Sequence, residues 1–412
     1  MTYQSSVIDK AAFSETLGSL PSAIEQNDLI ISHFKMPSVE VLHSTLNKHE
    51  IETLFDRAAP CIVRGFTTDD FGGCLTTWTP TFLRDACGQQ MISVHSCPES
   101  MLIFSPTKNF QYKQMQFSEL LDALEQEQLA SSSPSTSSIS PYYYFRSVGT
   151  KPHKIPASLD VFPKCIQQTF HLPSSILPSP KHHTVHSTIL RLAHPSLQLW
   201  THYDIPQNLL VQISGNKRVF IFPPDEIQHL YITSSSSPVK GITSNPDFKT
   251  YPLIEKALEH AFVAELSAGD ILYIPSCWPH AVLMNSLTAV EGQTASKPSL
   301  CMSINVFFSS NTFLEKGLYH SKDVYGNRGS ALHYLPMGEV AQVGAKWIRF
   351  NSKSRRISFF FDGEKNDLKP AEEYFQKLES TVIPDIMKLP PPFNQFYLRK
   401  MAALLLERAN AL

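Results

Sequence analysis

From Pro141 to about Phe308 the chain is a series of short apolar runs separated by turn residues, while the stretches on either side carry apolar residues at three- and four-residue spacing. The first pattern is that of packed strands, the second that of amphipathic helices. Residues 1 to about 60 read as polar and helical, Cys61–Phe66 as a buried strand ending near a glycine, Met91–His95 as a short strand, and Phe117–Leu129 as a helix with Leu120, Leu121 and Leu124 on one side. Asn208–Ile213 and Lys217–Phe222, joined by Ser214-Gly215-Asn216, predict a β-hairpin, because a short glycine-containing connection lets a chain turn back on itself. Ile271–Pro275 and Cys301–Phe308 continue the strand pattern. Strands at this density predict a mainly β fold with flanking helices, built as a two-sheet jelly roll.

After Asn311 the pattern turns helical. Residues 1–310 are expected to form the β domain with its N-terminal elaboration, and residues 311–412 a C-terminal helical region. Ala371–Lys388 and Phe393–Leu412 both have helical spacing, and Phe393, Phe396, Tyr397, Met401, Leu404 and Leu405 make a broad apolar face. Such a face must be buried, either on its own domain or in a homodimer interface. Ser131–Ser140 (SSSPSTSSIS) has no residues to build a core and reads as a loop, either a passive spacer or a regulatory phosphosite. Thr233–Asn245 and Asn285–Pro298 read as surface insertions.

A chain of 412 residues can bury one large domain and a smaller one. A net charge of −2 gives no global attraction to nucleic acid or to anionic lipid, so a polyanion would need a local basic patch. The seven cysteines are widely spaced and include no CxxC pair, which argues against a disulfide framework or a zinc site. MTYQSSVIDK is not a signal peptide, and no apolar run is long enough to span a bilayer; a soluble intracellular protein, cytoplasmic or nuclear, is expected.

The chemistry centres on Leu199-Trp200-Thr201-His202-Tyr203-Asp204. On a strand, residues two apart project from one face, so His202 and Asp204 can offer a ring nitrogen and a carboxylate to one ion. With His280, just past a buried run, they would complete a facial triad that leaves positions open for a co-substrate and oxygen, as a non-heme Fe(II) oxygenase requires. Sixteen histidines at average aspartate frequency give about one His-x-Asp pair by chance, so its surroundings matter more than the pair itself. Such an iron needs an electron source, commonly 2-oxoglutarate, whose far carboxylate needs a cation. Lys217 begins the next strand and suits that task, the alternative being an ordinary hairpin lysine; Arg218 faces the other way. Asn208, Asn305 and Tyr144 are polar groups in apolar runs that either bind the dicarboxylate or satisfy the core.

The segment HYDIPQNLLVQISGNKRVFIFPPDE resembles the JmjC-domain hydroxylases. The likeness is closer to the branch that hydroxylates the wybutosine base of tRNA, running through WTPTFL, KNFQYKQMQFSELL, YYYFRSVG, LQLWTHYD, NPDFKTYPLI, AGDILYIPSCWPH, SINVFF, VYGN and FYLRKM in order. The resemblance implies a double-stranded β-helix of cupin type and a dioxygenase using Fe(II), 2-oxoglutarate and O2. It places iron on His202, Asp204 and His280, and 2-oxoglutarate on Lys217 with Asn208, Tyr144 and Asn305. It implies phenylalanine tRNA as partner and a homodimer through the C-terminal helices. Some members carry a hydroxyl residue three positions before the first ligand, where this chain has Leu199, so that contact must be replaced. The best basic stretch, Lys346, Arg349, Lys353, Arg355 and Arg356 with Trp347 and Phe350 among them, suits an anticodon loop or is a solvated face; Lys151, Lys154 and Lys181 are secondary. Competing expectations are a hydroxylase of a protein side chain and a jelly-roll module that binds without turnover.

Overall fold

The computed structural model of the chain describes residues 10–20, 22–104, 107–130, 141–149, 157–194, 196–232, 236–284, 300–311, 348–351, 356–359, 378–389 and 393–410. Its strands, in chain order, are β1 (Glu40–His43), β2 (Cys61–Arg64), β3 (Met91–Cys97), β4 (Gln111–Gln116), β5 (Tyr142–Arg146), β6 (His183–Ala193), β7 (Gln198–His202), β8 (Gln207–Ser214), β9 (Lys217–Ile221), β10 (Phe262–Leu266), β11 (Ile271–Ile274), β12 (His280–Met284) and β13 (Cys301–Ser310). Two more, β14 (Ile348–Asn351) and β15 (Arg356–Phe359), pair with each other, and among the described residues with no other strand. Nine strands make one sheet in the order β1-β2-β11-β8-β13-β6-β5-β3-β4, and four make a second in the order β10-β9-β12-β7.

Alternation along each strand explains the layering. In β9, Val219 and Ile221 enter the core between the sheets, while Phe220 joins the cluster on the outside of the small sheet. In β8, Leu210 points inward, and Leu209 and Val211 pack outward against helix Lys48–Arg57 and its neighbours. The strands are thus buried on both faces, which is why they read as apolar runs rather than as clean alternation. The inward parity of β9 also holds Lys217, that of β8 holds Asn208, and that of β13, whose Ile304, Val306 and Phe308 pack outward, leaves Ser303 and Asn305 facing the interior.

The expected hairpin does not form. β8 pairs with β11 and β13 in the large sheet, and β9 pairs with β10 and β12 in the small one. The Ser214-Gly215-Asn216 turn carries the chain from one sheet to the other, with Gly215 at φ 70°. Two strands that each need both faces covered gain more from crossing the sandwich than from pairing side by side.

The C-terminal helix Phe393–Asn410 buries Phe393, Phe396 and Tyr397 on its own chain, in the cluster outside the small sheet with Ile205, Phe222 and Ala281. This part of the apolar face is therefore covered within the chain. Before it, Leu378–Val382 and Ile383–Met387 form short helical turns. The helical expectation after Asn311 is corrected at Ile348–Phe359, where an antiparallel strand pair stands; alternating Ile348, Phe350, Ile357 and Phe359 satisfy a two-residue period that the basic residues masked. Thr233–Asn245 is also corrected: from Ser236 on it lies along the free edge of β7, with Ser236, Ile242 and Ser244 buried. Ser131–Ser140 and Asn285–Pro298 lie outside the described residues. Among the described residues no helix is long and apolar enough to cross a membrane, and all seven cysteines are free thiols.

Candidate metal centre

β7 ends at His202 and β12 begins at His280, and the register sets the two directly opposite each other. Between Leu199 and His202 the pairing slips by one residue, Val282 facing Leu199. This bulge changes the parity of β7, so that Leu199 and His202 line the same cavity although they stand three residues apart. Asp204 follows β7 in a turn pinned by the Cys277 amide, which donates to the Asp204 carbonyl at 2.8 Å. Cys277 sits at φ 66°, a left-handed conformation that costs a side-chain-bearing residue energy and is held here by the packing around it.

Ligand atoms of His202, Asp204 and His280 all lie within 4.8 Å of one another, with His280 Nε2 3.9 Å from Asp204 Oδ2. The two imidazole centroids are 4.5 Å apart. Each ring spends Nδ1 on the carbonyl of the tryptophan two residues before it, His202 on Trp200 at 2.9 Å and His280 on Trp278 at 3.0 Å. With Nδ1–H donating, Nε2 is left with its lone pair toward the shared space, the tautomer a metal requires. Burial, then the neighbouring His280, pushes the His202 pKa down to about 4 against the pull of Asp204. Burial lowers that of His280 as well. Two imidazoles kept neutral by burial therefore converge with the Asp204 side chain, and the donor set fits a divalent ion such as Fe(II).

The same three residues line a cavity that also reaches Lys217, Asn208, Asn305 and Arg191. Lys217 lies four residues along β9 from Ile221, which pairs with His280, or roughly 13 Å of strand. It is 2% exposed, and burial pulls its pKa down to about 8. Its ammonium donates to the Ser303 hydroxyl. Asn305 Nδ2 donates to Asn208 Oδ1 at 3.2 Å, while Asn305 Oδ1 is buried without a hydrogen-bond partner. Tyr144 is not among the cavity-lining residues; its hydroxyl accepts from Arg191, which is. Arg218 points away to Glu265 and Asp28, as its strand parity predicts.

Sequence reasoning missed Arg191 and Ser303. Arg191 stands between Leu190 and Leu192 in an apolar run, and its Nε is buried without a partner. The Ser303 hydroxyl stands beside Lys217. The signal for both was parity: each occupies an inward position of a strand flanked by outward apolar residues. Among the basic residues, Arg349 and Arg356 lie on β14 and β15, Lys181 is exposed, and Lys346, Lys353, Arg355, Lys151 and Lys154 lie outside the described residues.

Residues 47–312 match the family description of a cupin-like domain. The chain is 32% identical over 343 residues to tRNA wybutosine-synthesizing protein 5 of Danio rerio, covering 82% of this chain and 83% of that protein. It is 30% identical over 299 residues to the protein of the same name from Homo sapiens, covering 72% of this chain and 84% of the relative. It is also 32% identical over 354 residues to tRNA wybutosine-synthesizing protein 4 of Aspergillus oryzae, covering 84% of this chain but only 30% of that longer protein. A two-sheet core, a His-x-Asp…His cluster within it, and matches over most of the length agree: the chain belongs to the cupin-like family, in the branch of its wybutosine-synthesizing protein 5 relatives.

Proposed function

We propose that the chain is an Fe(II)- and 2-oxoglutarate-dependent dioxygenase that hydroxylates the wybutosine base of phenylalanine tRNA. The observation that supports this most is the convergence of His202, Asp204 and His280 at a cavity that also reaches the buried Lys217. The names of the relatives support the choice of substrate. In this reading the three clustered side chains hold the iron. Lys217 binds the far carboxylate of 2-oxoglutarate, with Asn208 and Asn305 beside it and Tyr144 acting through Arg191. When bound, iron and co-substrate supply the oxygen chemistry: O2 is divided between succinate and the new hydroxyl group, and CO2 leaves.

The residues of the chain do the rest. His202 and His280 stay neutral because they are buried, and their rings are fixed by backbone carbonyls. Lys217 can meet a carboxylate as a point charge, and its present partner, the Ser303 hydroxyl, is neutral, so no competing anion must be displaced. Leu199, Leu210, Val282 and Met284 form the apolar wall that keeps water from the reacting atoms.

The test uses purified protein with Fe(II), 2-oxoglutarate and tRNA from cells lacking this protein. Mass spectrometry of the nucleosides should show conversion to hydroxywybutosine with matching succinate, and His202→Ala should lose both. Succinate without a mass change in the base would remove the substrate assignment, and neither product from the unaltered protein would remove the enzyme.

A further inference from the structure

The segment Lys108-Asn109-Phe110-Gln111-Tyr112-Lys113 contributes nothing to the metal donor set, yet the fold brings it beside that centre. The link is Trp200, whose ring lies 5.8 Å from that of His202. Phe104 stacks on Trp200 at 5.0 Å and 21°, and Phe110 at 5.8 Å and 11°. Lys108 Nζ stands 4.7 Å from the Phe104 centroid, 5.7 Å from Phe110 and 5.4 Å from Tyr112. Tyr112 is 60% exposed on β4, which has a sheet neighbour on one side only. Lys113, the next residue, projects from the opposite face of β4, where it sits over the Tyr143 ring at 5.4 Å.

Phe110 belongs to the core between the sheets and Phe104 and Trp200 pack against it, whereas the outer members Lys108 and Tyr112 face solvent. The cations here are also not isolated. Arg146 and Arg191 face each other across β5 and β6, and together with Lys108 they add to the burial that depresses the pKa of His95, the ring packed against Phe110 and Tyr112. The acidic Glu99 reaches this rim and accepts from Asn109 at 3.4 Å. Flat rings beside ammonium groups complement the two parts of an unpaired nucleotide: the base stacks, and the phosphates meet the cations.

The geometry points to the face formed by Phe104, Phe110, Tyr112 and Trp200 with Lys108 as the seat for an unpaired RNA base and its flanking phosphate at the mouth of the metal centre. This rests on the RNA reading above and says which surface of the chain carries it. The base enters along rings that end at a metal ligand, so stacking and delivery to the iron are one event.

The experiment uses the iron-loaded full chain and phenylalanine tRNA bearing the unhydroxylated wybutosine base, with both binding and hydroxylation measured. Tyr112→Ala should raise Kd and KM about tenfold or more while kcat is retained, and Tyr112→Phe should restore both. Lys108→Ala should flatten the plot of log Kd against log salt by about 0.7. Lys388→Ala, which removes an equal charge from a 75% exposed position on another element, should move neither. If the ring and lysine variants bind this tRNA with unchanged affinity and salt slope while the unaltered chain hydroxylates it, the face is wrong and the function stands. If those variants lose turnover of a peptide substrate but keep tRNA affinity, the face serves a protein and the inference fails. If the unaltered chain neither binds nor hydroxylates this tRNA, both readings fall together.

Discussion

The hydroxyl of Tyr203, the residue between His202 and Asp204, accepts a hydrogen bond from Lys400 of the C-terminal helix, which also lies 4.9 Å from the Tyr203 ring centroid. Lys400 is 6% exposed, and burial pulls its pKa down to about 7. A segment nearly two hundred residues away thus braces the turn that carries two of the clustered side chains. Lys400→Met keeps the apolar stem and removes this donor. It should cost about 1–3 kcal/mol in chemical denaturation. It should also weaken Mn(II) or Fe(II) binding about tenfold, as losses of groups that orient ligands do. Unchanged metal affinity would reduce the contact to packing alone.

Lys217 sets a pH dependence whose sign follows from its burial. Burial pushes its pKa down to about 8, so the ammonium that meets a carboxylate is present well below that pH and is lost as pH rises through it. Affinity for 2-oxoglutarate, measured by calorimetry on the Mn(II)-loaded protein, should be highest below about 8 and fall above it. Lys217→Met should weaken binding by about 10- to 100-fold and abolish this fall. Persistence of the fall in the variant would assign it to another group.

Phe396 is fully buried, its ring 4.8 Å from that of Tyr203. Phe396→Ala should cost about 3–5 kcal/mol, read as a lower denaturant midpoint. Because the residue packs within its own chain, the loss should not depend on protein concentration. A concentration-dependent midpoint would instead place this helix in a subunit interface.

Thiol chemistry gives an independent check on the core. Cys165 is exposed, while Cys61, Cys74 and Cys87 are buried and burial pushes each thiol up to about 12. The folded protein should take up one equivalent of an alkylating reagent, and seven in denaturant. Rapid reaction of several thiols without denaturant would contradict the packing of the large sheet.

What the sequence revealed was local chemistry. His202 and Asp204 announced themselves by spacing and by the apolar runs around them, and Lys217 by its place at the head of the following strand. The helix Phe117–Ala130 emerged within one residue of its predicted end. Partnership across the sheets was not legible. β8 and β9 look like a hairpin because a short glycine turn joins them, and nothing local says that their partners lie some forty residues or more downstream. Arg191 stayed hidden because its strand, β6, was not recognised, and Ser303 because one serine in an apolar run carries no mark of the lysine it meets. Trp200 looked like a neighbour of the ligands; that it stacks on Phe104 and Phe110 depends on the placement of a segment ninety residues earlier.

The hydrogen bonds from His202 to Trp200 and from His280 to Trp278 stay within three residues of chain. Ring orientation and tautomer are therefore set by backbone that the jelly roll holds whether or not an ion is present. Stripping the cation with a chelator should leave a folded shell that reloads on dialysis, and exchange of Fe(II) for Mn(II) or Ni(II) should proceed as a simple competition rather than as a cycle of collapse and refolding.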